Sequence, residues 1–525
     1  MKNNFLLMAG LSLFAGCTGM NNSSYDKMVY RPAAGAENAS LEMKMAAGSE
    51  RYGIYKENSF KTAQEEALST FSVDVDTASY TNVRKKIQNG YLPHKDAVRL
   101  EEMINYFTYD YPQPEEGKPF SVITEYADCP WTPGNKLLKI ALKGKDVKVD
   151  KRPSANLVFL IDVSGSMSSS DKLPLLKEAF QKMVSQLSEN DRVGIVVYAG
   201  SAGVVLEPTA CDEKGRDLII EALGRLNSGG STNGAGGINE AYKLVQANFI
   251  PGGTNRVILA TDGDFNVGVS DDEGLIGLIK EKAKAKAYLT VLGFGQGNLN
   301  DRMMEEISNQ GNGNYFYIDS AKEGTRVLCQ KLSSTLVTIA KDVKIQVDFN
   351  PANVHSYRLI GYDNRLLKNE DFNNDKKDAG DIGAGHSVTA LYEIVPAGSE
   401  NARSTVEKSK YIEVADKPSA IEKKHFSDEL LTVRLRYKSP EDGPGTLMKY
   451  PVKNQSTAFA DASKDFVFSS SVAAFGMLLR KSEYAGDANM SDIESWITKA
   501  RAANDDDKKE FLELVKQAAS LKKED

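Results

Sequence analysis

The chain has 525 residues, too many for one hydrophobic core, so two to four domains are expected. Charged residues make up 26% and hydrophobic residues 41%, as in an ordinary soluble protein, and only the amino terminus is apolar enough to meet a membrane. A net charge of -7, with no basic block interleaved with aromatics, argues against nucleic acid as the main partner.

Residues 1–16 pair a short positive start with an apolar core of signal-peptide length. They run into Leu13-Phe14-Ala15-Gly16-Cys17, which resembles a bacterial lipobox, although Phe14 stands where a small aliphatic residue is usual. That resemblance implies lipidation of Cys17 as the mature first residue, an anchor to a membrane without a span. A plain secretory signal is the alternative. Residues 17–65, rich in Asn, Ser, Ala, Gly, Lys and Met and without a period, read as a flexible tether. Cys129, Cys211 and Cys329 show no Cys-x-x-Cys spacing; buried free thiols are the preferred reading, with a disulfide between two of them left open.

An amino-terminal module, 66–150, is expected to hold a strand at 71–76, a helix at 77–88 capped by Thr77, a helix at 95–107, and strands at 120–126 and 136–142. From residue 157 strands and helices alternate: strands at 157–161, 192–198, 204–206, 256–261, 288–294 and 315–318. Helices are expected at 172–187, 216–226, 237–248, 273–286 and 301–309, with a long one ending at 339. This is the pattern of an α/β, doubly wound sheet over 156–340. Alternating strands at 343–349, 356–362, 387–394 and 430–437 then indicate a β-sandwich over 341–455, followed by a helical module at 456–525. Because strands also precede the α/β unit, we expect that unit to be inserted in the sandwich.

The apolar run 157–161 lacks polar alternation, as a strand buried on both faces should, and ends at Asp162. A carboxylate there lies on the rim where open α/β sheets bind ligands. Ser164 and Ser166 follow at alternate positions, and three such oxygens suit a hard divalent cation. Thr232, in a glycine-rich loop, and Asp262, after a second apolar run, offer matching groups. Together the five resemble the metal-ion-dependent adhesion site of von Willebrand factor type A (VWA) domains. The resemblance implies a Rossmann-like fold and bound Mg2+, with Ca2+ or Mn2+ as alternates. It also implies direct ligation by Ser164 and Ser166, and contact mostly through water from Asp162 and Asp262. Thr232 would join or leave with conformation, and an acidic residue of a protein partner would fill the open place. The competing reading is that Asp162 and the serines only cap the next helix. Asp264 is read as a solvated turn residue. Residues 70–80, 96–107 and 430–520 are similar to the YfbK-type VWA lipoproteins, so the likeness spans nearly the whole mature chain.

Other motifs carry less. Asp74-Val75-Asp76-Thr77 is similar to the nucleophile motif of haloacid-dehalogenase phosphatases, but helices and a proline-rich break follow where a catalytic domain should. The loop at 229–237 lacks the Gly-Lys-Ser/Thr ending of a phosphate loop. The four histidines, His94, His355, His386 and His425, all lie outside 156–340, which disfavours a Ser-His-Asp nucleophile. Asp505, Asp506 and Asp507 precede a helix whose dipole they suit. The resulting expectation is a protein that is no enzyme, lipid-anchored in a bacterial cell envelope, on the outer or a periplasm-facing membrane. It would bind a protein partner through Mg2+. An envelope scaffold in which the metal only stiffens the rim is the alternative, and a metal-dependent hydrolase the less favoured one. Oligomeric state is not legible.

Overall fold

The structure, a computed structural model, describes residues 50–147, 151–230, 234–263, 272–402, 428–441, 443–501 and 505–522. The signal segment, Cys17 and residues 18–49 of the expected tether lie outside the described residues. In chain order come β1 (Lys61–Thr62), β2 (Leu68–Ser72), α1 (Ala78–Gln88), α2 (Leu100–Tyr106), β3 (Phe120–Asp128) and β4 (Lys136–Gly144). The α/β unit follows with β5 (Ala155–Asp162), α3 (Leu173–Val184), β6 (Arg192–Tyr198), β7 (Ala202–Ala210), α4 (Glu213–Arg225) and α5 (Gly234–Ala247). It continues with β8 (Thr254–Thr261), α6 (Asp272–Lys284), β9 (Tyr288–Phe294), α7 (Asp301–Gln310), β10 (Tyr315–Ile318), α8 (Ala321–Thr325) and α9 (Leu332–Leu336). Last are β11 (Thr338–Phe349), β12 (Val354–Ile360), β13 (Ile382–Gly383), β14 (Ser387–Pro396), β15 (Glu429–Lys438), β16 (Thr446–Lys453), α10 (Lys464–Arg480), α11 (Met490–Ala500) and α12 (Asp506–Leu521).

The α/β sheet runs β10-β9-β8-β5-β6-β7, parallel except for β7, an antiparallel edge on β6. Central β5 pairs with β6 on one side and β8 on the other. Its odd positions, Leu157, Phe159 and Ile161, share a core with α3 and α4; Val158 and Leu160 share another with α5, α6 and α7. Both faces are covered, which is why the run carries no polar alternation. The order reverses between β5 and β8, and the crevice at that reversal opens at the carboxyl ends of the strands.

Two further sheets form the sandwich: β1-β12-β14-β4-β3, and β13-β11-β15-β16 with β2 on β11. They close on a shared core in which Leu138, Ile140 and Leu142 meet Ile345, Val347, Val433 and Leu435. Strand β4, before the α/β unit, pairs with β14, after it, from Lys136↔Ile394 to Lys143↔Ser387. The α/β unit is therefore inserted in the sandwich. The other face of β4 offers Leu137 and Ala141 to a layer in which α1, α2, α10, α11 and α12 share one core, with Tyr80, Met103, Phe468, Phe475 and Phe511 among its members.

Several expectations need correction. The tether does not reach residue 65: Lys61 and Thr62 pair with β12, Ala63 is fully buried, and Glu50 meets Lys86 at 2.7 Å, so order begins by residue 50. The amino- and carboxyl-terminal helical modules are one layer, because neither set alone can cover its apolar side. The helix expected at 95–107 is a short 3-10 turn at Lys95–Ala97 and then α2. Val98 and Arg99 are extended between them, and the Arg99 amide binds the Ser79 hydroxyl at 2.8 Å instead of continuing the helix. The long helix to 339 is broken into α8, one π-turn at Arg326–Gln330 and α9, and β11 begins at Thr338. There Arg326 stacks on the Tyr106 ring, 3.6 Å from its centroid, and bonds the Tyr106 carbonyl, a tertiary contact that overrides the local period. Strand β16 has no counterpart in the sequence reading, since its exposed edge residues blur the alternation. Cys129, Cys211 and Cys329 are free thiols, and burial pushes Cys211 up to about 12. Among the described residues no helix is long and apolar enough to cross a membrane.

Candidate metal centre

Strand β5 ends on Asp162, fully buried, and β8 ends one residue before Asp262, also fully buried. The chain turns sharply after Asp162 because its Oδ1 accepts the Ser164 amide at 2.9 Å, an Asx-type bond that aims the next residues back at the carboxylate. Oδ2 accepts from the Tyr198 hydroxyl at 3.2 Å and from Thr261 Oγ1 at 3.1 Å, so three strands fix its direction. Ser164 Oγ and Ser166 Oγ lie 3.0 Å apart, and Ser166 also donates to Asp262. The structure thus brings Asp162, Ser164, Ser166 and Asp262 together. Thr232 and Asp264 lie outside the described residues. The loop that leads to Thr232 is seated on the same rim: the Gly229 amide donates to the Val163 carbonyl at 2.7 Å, and the Gly165 amide to the Gly230 carbonyl at 3.1 Å.

The electrostatics of the rim are unbalanced. Burial, with Asp262 nearby, raises the Asp162 carboxyl above its ordinary value despite the Ser164 and Thr261 hydrogen bonds. Burial acts on Asp262 too, but Lys172 outweighs it and holds that carboxyl below the usual range. Lys172 Nζ donates to Asp262 Oδ2 at 2.9 Å and to Asn298 Oδ1 at 3.2 Å. Its stem passes over Gly295, at φ 70°, where a Cβ would collide with the Lys172 chain. Gly263, at φ 89°, lies so close to the Asn300 amide that a side chain would not fit, which keeps the Asp262 turn tight against the loop before α7. Two hydroxyls and two carboxylates, one of them with no ion pair among the described residues, are a donor set that suits a hard divalent ion.

Sequence reasoning missed Lys172, Tyr198, Thr261 and Asn298. Lys172 alone carried a signal. It caps the amino end of α3, where a cation opposes the helix dipole and only another partner explains it.

A second set of buried charges lies away from the rim. One carboxylate oxygen each from Asp74, Glu102 and Glu305 lie within 4.8 Å of one another. Arg365 bonds Asp74 at 3.0 Å and Glu305 at 2.9 Å, while Arg99 bonds Glu102 and, at 2.5 Å, Asp301. Asp74 and Asp76 are thus bound into an ionic seam, not presented as a nucleophile.

The profile of the von Willebrand factor type A domain matches residues 156–352, that of the carboxyl-terminal part of YfbK matches 334–521, and one described as von Willebrand factor matches 46–139. The protein named YfbK of Escherichia coli (strain K12) is 39% identical over 479 residues, covering 90% of this chain and 81% of its own length. The chain belongs to the YfbK family of VWA proteins. The protein sll0103 of Synechocystis is 29% identical over 209 residues, 39% of this chain and 47% of its own. A solved von Willebrand factor type A structure from Catenulispora acidiphila covers 75% of this chain and 88% of its own, with a TM-score of 0.42 and 15% identity. The rim of this YfbK-type protein lies at the carboxyl end of the sheet of the inserted VWA domain.

Proposed function

We propose that this YfbK-type protein is tethered to a bacterial envelope through Cys17 and captures a protein partner through Mg2+ held by Asp162, Ser164, Ser166, Thr232 and Asp262. The observation that carries the reading is the convergence of two hydroxyls and two buried carboxylates on one rim, with Ser164 Oγ and Ser166 Oγ 3.0 Å apart. When bound, the ion supplies an electrophile with an open coordination place. Ser164 and Ser166 are neutral donors, so they leave that electrophile its charge. Asp162 is oriented by Ser164, Tyr198 and Thr261, and Lys172 neutralises part of the negative charge that would repel an acidic visitor. A carboxylate of the partner is the group such a rim selects, which makes the protein an interaction module.

The test is capture from solubilised envelope membranes by the full chain, with Mg2+ against chelator and with Asp162→Ala. Capture should need the metal and the aspartate. Retention of the same partner under chelation and by Asp162→Ala would remove the mechanism.

A further inference from the structure

At the opposite end of β8 from Asp262, a cleft of about 490 Å³ opens between the VWA domain and the sandwich. Arg256 and Lys280 from the VWA domain line it, facing Asp381 and His386 from the sandwich side. Five arginines are buried among the described residues. Four of them have a carboxylate within ion-pair distance: Arg84 has Asp319, Arg99 has Asp301, Arg326 has Asp507 and Arg358 has Glu393. Arg256, only 4% exposed, has none among the described residues. It donates to Thr290 Oγ1 at 2.7 Å and its guanidinium carbon lies 5.7 Å from the Tyr288 ring centroid. Its Nε is buried with no hydrogen-bond partner.

We propose that this cleft binds a small oxyanion, a phosphate or a carboxylate, on the Arg256 guanidinium. A fork of donors buried without a carboxylate is costly to keep, and a planar two-oxygen anion is what it matches. The volume lies in the range of small-ligand sites, at a domain boundary where such sites occur. Asp74, Asp76 and Asp378 also line the cleft, but Asp74 and Asp76 pair with Arg365 and none of the three pairs with Arg256 among the described residues. Asp381 acts on Arg256 through its charge, yet burial holds its carboxyl up to about 7, so it is only partly ionised at neutral pH, and burial pushes Arg256 down to about 10. Burial, with Lys331 and Lys143 nearby, lowers His386 to about 3, so it adds no second cation and stays a neutral donor or acceptor. Lys280 adds positive charge to the same cleft. Asp262 follows Arg256 by six positions along β8 and its end, so the bound anion would sit about 20 Å from the rim.

The experiment uses the full chain carrying Asp162→Ala, in chelator and at constant ionic strength, so that the rim contributes nothing and failure there cannot be mistaken for failure here. Melting temperature and calorimetric binding are followed against inorganic phosphate in one arm and succinate in the other. Saturable stabilisation by at least one probe is expected, phosphate alone indicating a phosphoryl ligand and succinate alone a carboxylate one. Arg256→Met should abolish that response while the unliganded variant melts no lower than its parent, because an unmatched buried charge has been removed. Arg256→Lys should fold and bind the probe at least tenfold more weakly, and it serves as the arbiter if the methionine variant does not fold. A parent that responds to neither probe, or an Arg256 variant that keeps the full response, overturns the proposal.

Discussion

Two regions of this molecule bury several charges each, and they balance them differently. At the seam between the VWA domain and the helical layer, Arg84 bonds both oxygens of Asp319 at 2.7 Å, Glu323 at 3.0 Å and the Tyr106 hydroxyl at 2.7 Å, and pairs with Glu510 at 3.1 Å. One guanidinium thereby joins α1, α2, α8, α12 and the end of β10. At the rim the Lys172 ammonium pairs with Asp262, and Asp162 makes no ion pair among the described residues. Saturated charge binds parts of the fold to each other; the partial balance at the rim is the setting that the proposed metal reading needs. Asp507 belongs to the first kind as well: it lies in the first turn of α12, behind the Asp505 cap, and it holds Lys322 at 2.9 Å and Arg326 at 3.2 Å.

The largest effect that would sharpen this contrast is at the seam. Arg84→Met leaves Asp319 and Glu323 buried without their cation, and removing one partner of such a pair costs about 3–5 kcal/mol. Urea unfolding of the full chain should show it as a strongly lowered midpoint or as loss of soluble protein. A cost under about 1 kcal/mol would put the seam in the class of surface pairs and end the comparison.

Lys172→Met should come next, and its sign should depend on metal. In chelator the variant removes the Lys172 ammonium from Asp262 and is expected to lose about 3 kcal/mol. Added Mg2+ should restore most of that, with an affinity about tenfold tighter than wild type because a like charge near the ion is gone. Calorimetry with Mg2+ reads the affinity and thermal melting reads the stability. Weaker Mg2+ binding in the variant would mean that Lys172 builds the rim instead of balancing it.

Glu101 lies between the two regimes. It accepts the Tyr362 amide at 2.8 Å, but burial, and then Asp363 and Asp74, lift its carboxyl to about 7. Its folded pKa lies above the ordinary 4.5, so the folded state holds the proton more tightly than the unfolded one. That contribution is complete below about pH 4.5 and is lost as pH rises through about 7. Glu101→Gln keeps an acceptor for Tyr362 without the charge. The difference in unfolding free energy between wild type and variant should therefore move against wild type by on the order of 2 kcal/mol between pH 4.5 and 7.5. A flat difference would show that Glu101 is ionised throughout.

Much of the fold was legible because burial on both faces writes itself into a sequence. The runs that became β5, β6, β9 and β10 could not be solvent-facing strands, and the bounds of the last three agree with expectation residue for residue. The order of Asp162, Ser164, Ser166 and Asp262 was legible for the same reason, since each follows a strand that points at the rim. What was not legible depends on contacts far apart in sequence. Nothing local in 321–339 announces a broken helix, because Arg326 finds Tyr106 across 220 positions. Nothing local in 50–65 announces order, because β1 is only two residues long and its partner lies almost 300 residues on. Lys172 was read only as the start of a helix, and its part in the rim shows only once Asp262 stands beside it.

The smallest predicted effect sets the lower bound of the comparison. Arg225 and Glu221 form an i,i+4 pair on α4, with their side chains 70% and 59% exposed. Water already solvates both groups, salt screens what attraction remains, and holding two long side chains in one geometry opposes the gain. Arg225→Ala should therefore change the free energy of unfolding in urea by no more than about 0.5 kcal/mol, an effect that falls further as salt rises. Alanine's better helix propensity offsets part even of that. A change of several kcal/mol here would show that α4 is not a free surface in solution, and that its outer face, where Leu218 and Ile220 are also exposed, is covered by something in the protein as it works.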